Sequence, residues 1–358
     1  MKKIGILTIN DNDNYGNRLQ NYAVQSFLIN NNCKVETIIN TTRRYKNTSE
    51  FKTIIKNIKY KIKCELNPRK KYFRLFNKNI IFSSKKINYK KIPVNLNNKY
   101  DYFITGSDQV WNPNLKRFSE IDFLKFADKK KRISFSASIG VSELTDVQKK
   151  IIKKNIADFK NISVREQSAK EIIEKLTGRN DVEVLIDPTM LLTSEEWDRV
   201  SKKPQQLNEF KQEKYILNYF LGKLSESRKQ IIEKIAKENN CAVINILDKN
   251  DPFNKTGPSE FLYLEKNAFL ICTDSFHSCV FSILYNRPFI VFNRDENVVS
   301  MNTRIDTLLS KFKLEDRRFN GKNITKENLN HDYTEAYKIL EKERKKSEEF
   351  LKKALDIE

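Results

Sequence analysis

The sequence predicts an α/β fold of two Rossmann-like, doubly wound domains facing a cleft. Strand-like and helix-like stretches alternate along almost the whole chain, the order expected of a parallel sheet with crossover helices. Short apolar runs repeatedly end in polar turns, as strands buried on both faces do at their carboxyl ends. At 358 residues the chain exceeds what one core ordinarily serves, and two domains of roughly 150 to 200 residues suit it. The expected division is 1–200, with a basic insertion at 43–91, then 201–332, then a terminal helix at 333–358.

In chain order, Ile4 to Ile9 reads as a strand and Asn10 to Tyr15 as its loop. Gly16 to Asn32 is amphipathic, with Leu19, Tyr22, Ala23, Ser26 and Phe27 on one face, and Val35 to Ile39 is a second strand. This opening lacks G-x-G-x-x-G, which argues against a nicotinamide dinucleotide. Tyr100 to Thr105 is a strand leading into the loop Gly106 to Pro113, and Ile133 to Ala137 is another. A helix is expected over Ser142 to Phe159, a strand over Ile162 to Val164 ending in Arg165-Glu166, a helix over Gln167 to Leu176, and a strand over Val182 to Ile186 ending in Asp187.

After the polar stretch Ser201 to Lys214, Tyr215 to Phe220 reads as a strand, Ser225 to Asn239 as a helix and Ala242 to Leu247 as a strand. Gly257-Pro258 opens a helix through Lys266, proline being common in a first turn. Ala268 to Phe292 then reads strand, polar turn, helix, strand, and Tyr333 to Leu355 is a long charged helix.

Composition narrows the function. A hydrophobic content of 39% with 23 Phe and 14 Tyr excludes a disordered chain. The five cysteines show no CxxC spacing and three lie in apolar patterns, so reduced, buried thiols and a cytoplasmic location are expected. The apolar stretch after Met1-Lys2-Lys3 is too short for a signal peptide, and no window suits a membrane span. No His-rich cluster stands out, and neither a metal nor a cofactor is expected.

The net charge of +21 is unevenly placed: between Arg43 and Lys91 there are 17 Lys plus Arg against only Glu50 and Glu65. Without an accompanying nucleic-acid-binding signature, a nucleic acid partner is not expected. Phe51, Ile54, Ile55, Ile58, Ile62 and Leu66 interleave with the lysines at helical spacing. The segment therefore suits a solvated face or a basic amphipathic helix on the inner face of an anionic membrane.

The polar turn Thr273 to Ser278 is the expected floor of a site. It joins a strand end to a helix start, where N–H groups and the helix dipole favour an anion. It also holds His277, one of only two histidines. A histidine that titrates near neutrality suits proton transfer. Asp274 and Asp108 are candidate bases, and Arg165, leaving a strand end, is a guanidinium fork for an anion. Asp187 reads as structural, and Trp111 reads equally well as a core residue behind its loop.

Six short pieces then carry a resemblance. They are Asn14-Tyr15-Gly16-Asn17 with Leu19-Gln20 and Tyr22-Ala23; Ile104 to Asn112; Ser163-Val164-Arg165-Glu166; Asp187-Pro188-Thr189; Gly257-Pro258; and Thr273 to His277. In these, the chain resembles the polysaccharide pyruvyl transferases. The resemblance implies a fold similar to GT-B glycosyltransferases. It also implies transfer of an enolpyruvyl-derived unit from phosphoenolpyruvate, as co-substrate, to two hydroxyls of a lipid-linked or nucleotide-linked saccharide, giving a ketal and phosphate. By position it assigns the donor to Arg165, Gly257, Ser275, His277 and Ser278. The acceptor falls to Asn14, Tyr15, Asn17, Gln20, Ser107 and Trp111. Some branches carry Arg and Gly where this chain has Ser275 and Ser278. The same residues also suit a nucleotide-sugar glycosyltransferase or a non-catalytic carbohydrate-binding protein.

Overall fold

The computed structural model describes residues 1–10, 13–42, 62, 67–294, 303–321 and 324–358. Most of the basic stretch, with Cys64 and the apolar positions from Phe51 to Ile58, lies outside the described residues.

Two all-parallel sheets form the frame. The first runs in the order β3 (Phe82–Ile87), β2 (Lys34–Asn40), β1 (Lys3–Leu7), β4 (Tyr102–Thr105), β5 (Arg132–Ala137), β6 (Asn161–Val164), β7 (Glu183–Val184). The second runs β11 (Phe289–Val291), β10 (Leu270–Thr273), β8 (Tyr215–Tyr219), β9 (Ala242–Asn245). Strand order reverses between β1 and β4 in the first sheet and between β8 and β10 in the second. At such points the connecting loops diverge and leave a crevice at the strands' carboxyl ends.

The central strands match their expected positions because burial on both faces leaves an uninterrupted apolar signature; every residue of β5 and β8 is buried. β3 and the helix Pro68–Phe76 were not legible. Only Ser83 and Ile87 of β3 are buried, while Ser84, Lys85 and Lys86 face solvent. Charged residues of this kind protect an edge strand from further pairing and erase its apolar pattern. The helix Pro68–Phe76 buries Phe73 and Phe76 in the protein, so its apolar face is not open to a membrane. The expected helix from Ser142 is shorter, Asp146–Ile156, because Thr145 and Gln148 close a capping box at its start. The helix Thr303–Phe312 was also missed.

One apolar cluster runs through both sheets' helices, joining Ile4, Leu19 and Phe135 to Leu217, Phe261, Phe281 and Leu351. Tyr15 is its hinge pin, stacked on Phe261 at 4.6 Å and on Phe73 at 5.3 Å. The terminal helix Thr334–Leu355 straps the two parts together. Its Tyr337 hydroxyl donates to the Ile283 carbonyl, Arg344 donates to the carbonyls of Met190 and Leu192, and Phe350 stacks near Phe135. Cys33, Cys272 and Cys279 are buried free thiols, and Cys241 is a half-buried one. Among the described residues no helix is long and apolar enough to cross a membrane.

Leu351 is fully buried in this shared cluster. Leu351→Ala should therefore cost about 2–5 kcal/mol of global stability, read as a lower urea midpoint in a single transition reported by probes on both sheets. Loss confined to the last helix would contradict the strap.

Candidate active site

The strand ends converge on a buried ionic cluster. Arg165 leaves β6, Asp187 follows β7, Asp108 follows β4, and His277 lies in the first turn of the helix Phe276–Leu284 after β10. Arg165 Nη1 lies 2.6 Å from Asp187 Oδ2 and Nη2 lies 3.4 Å from Asp108 Oδ1. The guanidinium plane covers the Phe276 ring at 4.4 Å.

The Asp187 carboxylate also accepts from the Ser107 hydroxyl at 2.9 Å and from the Thr189 N–H and hydroxyl. His277 Nε2 stands 3.6 Å from Asp187 Oδ2 without a hydrogen bond of its own. Burial alone would raise the Asp187 carboxyl, but the charges of His277 and Arg165 and the Thr189 hydrogen bond outweigh it and hold it well below the carboxylate range. Asp108 is lowered in the same way: burial opposes, and Arg165, His277 and Arg304 prevail.

His277 is seated by a glycine. A Cβ at Gly16 would lie 2.0 Å from His277 Nδ1, so only glycine allows the ring against the start of the helix Tyr15–Asn30. This contact joins the two sheets' loops at one point. Gly106, at φ +115, is equally constrained, since a Cβ there would meet the Phe135 carbonyl at 2.2 Å. That glycine brings Ser107 and Asp108 into the cluster.

A polar cavity of about 510 Å³ opens at the β1/β4 reversal, lined by Asn14, Asn17, Asp108, Gln109, Asn114 and Arg117 among others. Asn14 and Asn17 thus border open space, although Asn14 Oδ1 also accepts from the Asn17 N–H as a helix cap. The helix after Ser275 has no side-chain cap at its start, so its first-turn N–H groups receive no side-chain acceptor.

Several expected site residues turn elsewhere. Tyr15 is a fully buried strut whose hydroxyl meets Thr256. Gln20 donates to the Thr8 hydroxyl and the Asn17 carbonyl in the interior. Trp111 donates to the Asp122 carbonyl and stacks on Phe123, a core role. The Ser107 hydroxyl is spent on Asp187 and the Ser136 carbonyl.

On the donor side, Gly257 gives its N–H to Glu260, and a Cβ there would strike Tyr72 at 2.6 Å, so packing explains this glycine. The Ser278 hydroxyl donates to Glu265, away from the cleft. Burial holds that Glu265 carboxyl well above its ordinary value. The Ser275 N–H is taken by the Thr273 hydroxyl. Asp274 accepts from the N–H groups of Leu221 and Gly222, both at 2.7 Å, and pairs with Arg294 at 3.2 Å. It is therefore a clamp across the β8/β10 reversal, with both oxygens engaged by neighbouring donors.

Three groups escaped sequence reasoning. Asp187 had been read as structural, yet it holds both Arg165 and His277. Arg294 and Arg304 offered no motif; Arg304, from the helix Thr303–Phe312, is 7% exposed and directs both terminal nitrogens to the side-chain carbonyl of Gln109 at 3.0 and 2.6 Å, in the amide orientation that turns this oxygen towards it.

Asp187→Asn would leave Arg165 buried without its nearest counter-charge, costing about 3–5 kcal/mol at neutral pH. The folded carboxyl is depressed, so its stabilising contribution is complete above the ordinary 3.8 and is lost as pH falls below it. The gap in urea midpoint between wild type and variant should be full above about pH 5 and narrow progressively as pH falls below about 4; a gap that stays constant down to the lowest pH at which both fold would remove Asp187 from its role.

No protein of curated function matches the sequence. Among solved structures, a Listeria monocytogenes protein designated a UDP-N-acetylglucosamine 2-epimerase has a TM-score of 0.52 at 11% identity, over 98% of this chain and 90% of that one. The S. aureus MnaA–UDP structure has a TM-score of 0.49 at 12% identity, over 96% and 89%. The Methanocaldococcus jannaschii UDP-GlcNAc 2-epimerase in complex with UDP-GlcNAc and UDP has a TM-score of 0.46 at 16% identity, over 95% and 98%. At 11% identity the likeness to the Listeria monocytogenes protein speaks to fold alone, and it agrees with the GT-B-like arrangement of two α/β units. The sequence pattern of polysaccharide pyruvyl transferases matches residues 14–296, a stretch that contains Gly16, Asp108, Arg165, Asp187 and His277, and the chain belongs to the polysaccharide pyruvyl transferase family.

Proposed function

We propose that the protein forms a pyruvate ketal on a sugar of a cell-surface polysaccharide precursor, taking the three-carbon unit from phosphoenolpyruvate and releasing phosphate. The observation that carries this reading is the meeting of Arg165, Asp187 and His277 with Asp108, which lines the polar cavity. A donor bearing a phosphate and a carboxylate needs guanidinium and N–H groups, and a reaction that moves protons needs a group that titrates near neutrality.

The reaction balances as follows. A proton adds to the methylene carbon of phosphoenolpyruvate, and the electron-poor C2 accepts the oxygen of one sugar hydroxyl, which gives up its proton. The C2–O bond to phosphate breaks, and a second hydroxyl oxygen adds to C2, losing its proton. Two hydroxyl protons leave; one replaces the proton delivered to carbon and one departs with phosphate. His277, which stands 3.6 Å from Asp187 Oδ2, carries a proton between carbon and hydroxyl. Asp108, which lines the cavity, accepts from the acceptor hydroxyl. Asn14 and Asn17 orient the saccharide, which is lipid-linked or nucleotide-linked.

If His277 handles protons, His277→Asn should leave phosphoenolpyruvate binding intact while turnover falls by about 10²- to 10⁴-fold. The measurement is phosphate release and a mass gain of one pyruvate less water on a panel of lipid-linked and aryl glycosides. A variant that melts earlier yet turns over at the wild-type rate would sink the assignment.

For location, we propose the cytoplasm, with the basic stretch 43–91 giving peripheral contact with the inner face of an anionic membrane. Each near-surface cation contributes up to about 1 kcal/mol, screened by salt. Sedimentation with phosphatidylserine vesicles should show binding at low salt that fades at high salt; absence of binding at low salt makes this stretch a solvated face.

A further inference from the structure

Arg304 is a buried cation that no carboxylate of the described residues touches. It is 7% exposed, has no carboxylate in salt-bridge contact among the described residues, and its Nε has no acceptor. Its partner is a neutral amide, the carbonyl of Gln109. Burial pushes its guanidinium down to about 10, and the positive charges of Arg165 and Arg294 act in the same direction, only partly offset by Asp108 and Glu166. Removing a charge from water is expensive unless a counter-charge repays it.

Of the neighbouring carboxylates, Asp108 and Asp274 are committed elsewhere, and Glu166 keeps one buried oxygen without a hydrogen-bond partner. Asp108 faces Arg165 and receives the Gln109 N–H. Asp274 holds Arg294 and two backbone N–H groups. One Glu166 oxygen accepts from the Ser138 hydroxyl and the N–H groups of Ile139 and Gly140. Gln109 itself lines the polar cavity beside Asp108. Arg304 also lies beyond the stretch matched to the family, 14–296.

We propose that Arg304 is the second guanidinium of the donor site, binding an anionic group of a small phosphorylated carboxylic acid beside Arg165, and that the Gln109 carbonyl is the neutral partner this anion displaces. The inference rests on the donor reading above. It gives this chain a cation where Ser275 offers none, drawn from a helix that no motif marks.

The test is thermal melting of the full chain titrated with inorganic phosphate, pyruvate and phosphoenolpyruvate, for wild type, Arg304→Gln and Arg304→Lys. Wild type should be stabilised by phosphoenolpyruvate and by at least one of the two simpler anions. Arg304→Gln should raise the half-saturating concentration at least tenfold while its ligand-free melting temperature stays level or rises, since an uncompensated charge is gone. Arg304→Lys, which keeps charge without the fork, should be intermediate, and it carries the test alone should the glutamine variant fail to fold. Unchanged half-saturation in either folded variant, or a wild type indifferent to all three anions, overturns the proposal. An Arg304-dependent response to phosphate in a protein that never forms pyruvylated product would keep the anion site and reject the pyruvyl transfer reading.

Discussion

The Asp187 carboxylate is the constraint on which the site depends. It is fully buried, and one of its oxygens serves the Arg165 guanidinium, the Ser107 hydroxyl and the edge of the His277 ring. A buried guanidinium is tolerable only where such an anion meets it, and an anion so deeply placed is tolerable only where several donors converge. Four loops from two sheets are thereby fixed relative to one another. Ionic clusters of this kind seldom maximise stability, so their presence at strand ends is itself a mark of function.

The fold was largely legible because parallel strands announce themselves. β1, β4, β5, β8 and β10 are buried on both faces, and their apolar runs survive any choice of helix on either side. What escaped lies at edges. β3 exposes Lys85 and Lys86, and β7 keeps only Glu183 and Val184, both half-buried. An edge strand is selected against being a good strand, so its periodicity carries little information.

The site was legible in its loops but less so in its individual roles. Sequence reasoning located the turns around Asp108, Arg165 and His277 because a polar turn after an apolar run must lie at a strand end. It could not tell which side chains point into the crevice. Tyr15 and Trp111 sit within the same short pieces as Asn14 and Asp108, yet both are fully buried and hold the loops from behind. Gln20 and Ser278 serve in the same way, with their polar ends satisfied inside. Short pieces around a site mix residues that touch ligand with residues that place them, and only packing separates the two. Arg294 and Arg304 were invisible for a different reason: their significance is electrostatic and arises from neighbours distant in the chain.

Gly16 shows how tightly the two α/β units are bound to a common chemistry. Its missing Cβ is the space occupied by the His277 ring, so the first helix of one unit receives a side chain of the other. Tyr15, the adjacent residue, stacks on Phe261 of that second unit and turns its hydroxyl to Thr256. One residue therefore fixes the distance between the units while its neighbour admits the histidine. A displacement of the units large enough to open the cleft would have to break the Tyr15 stack and withdraw His277 from Asp187 together. The placing of the units and the assembly of the ionic cluster are thus coupled by geometry, and the apolar core shared by the units is also what surrounds the buried cluster.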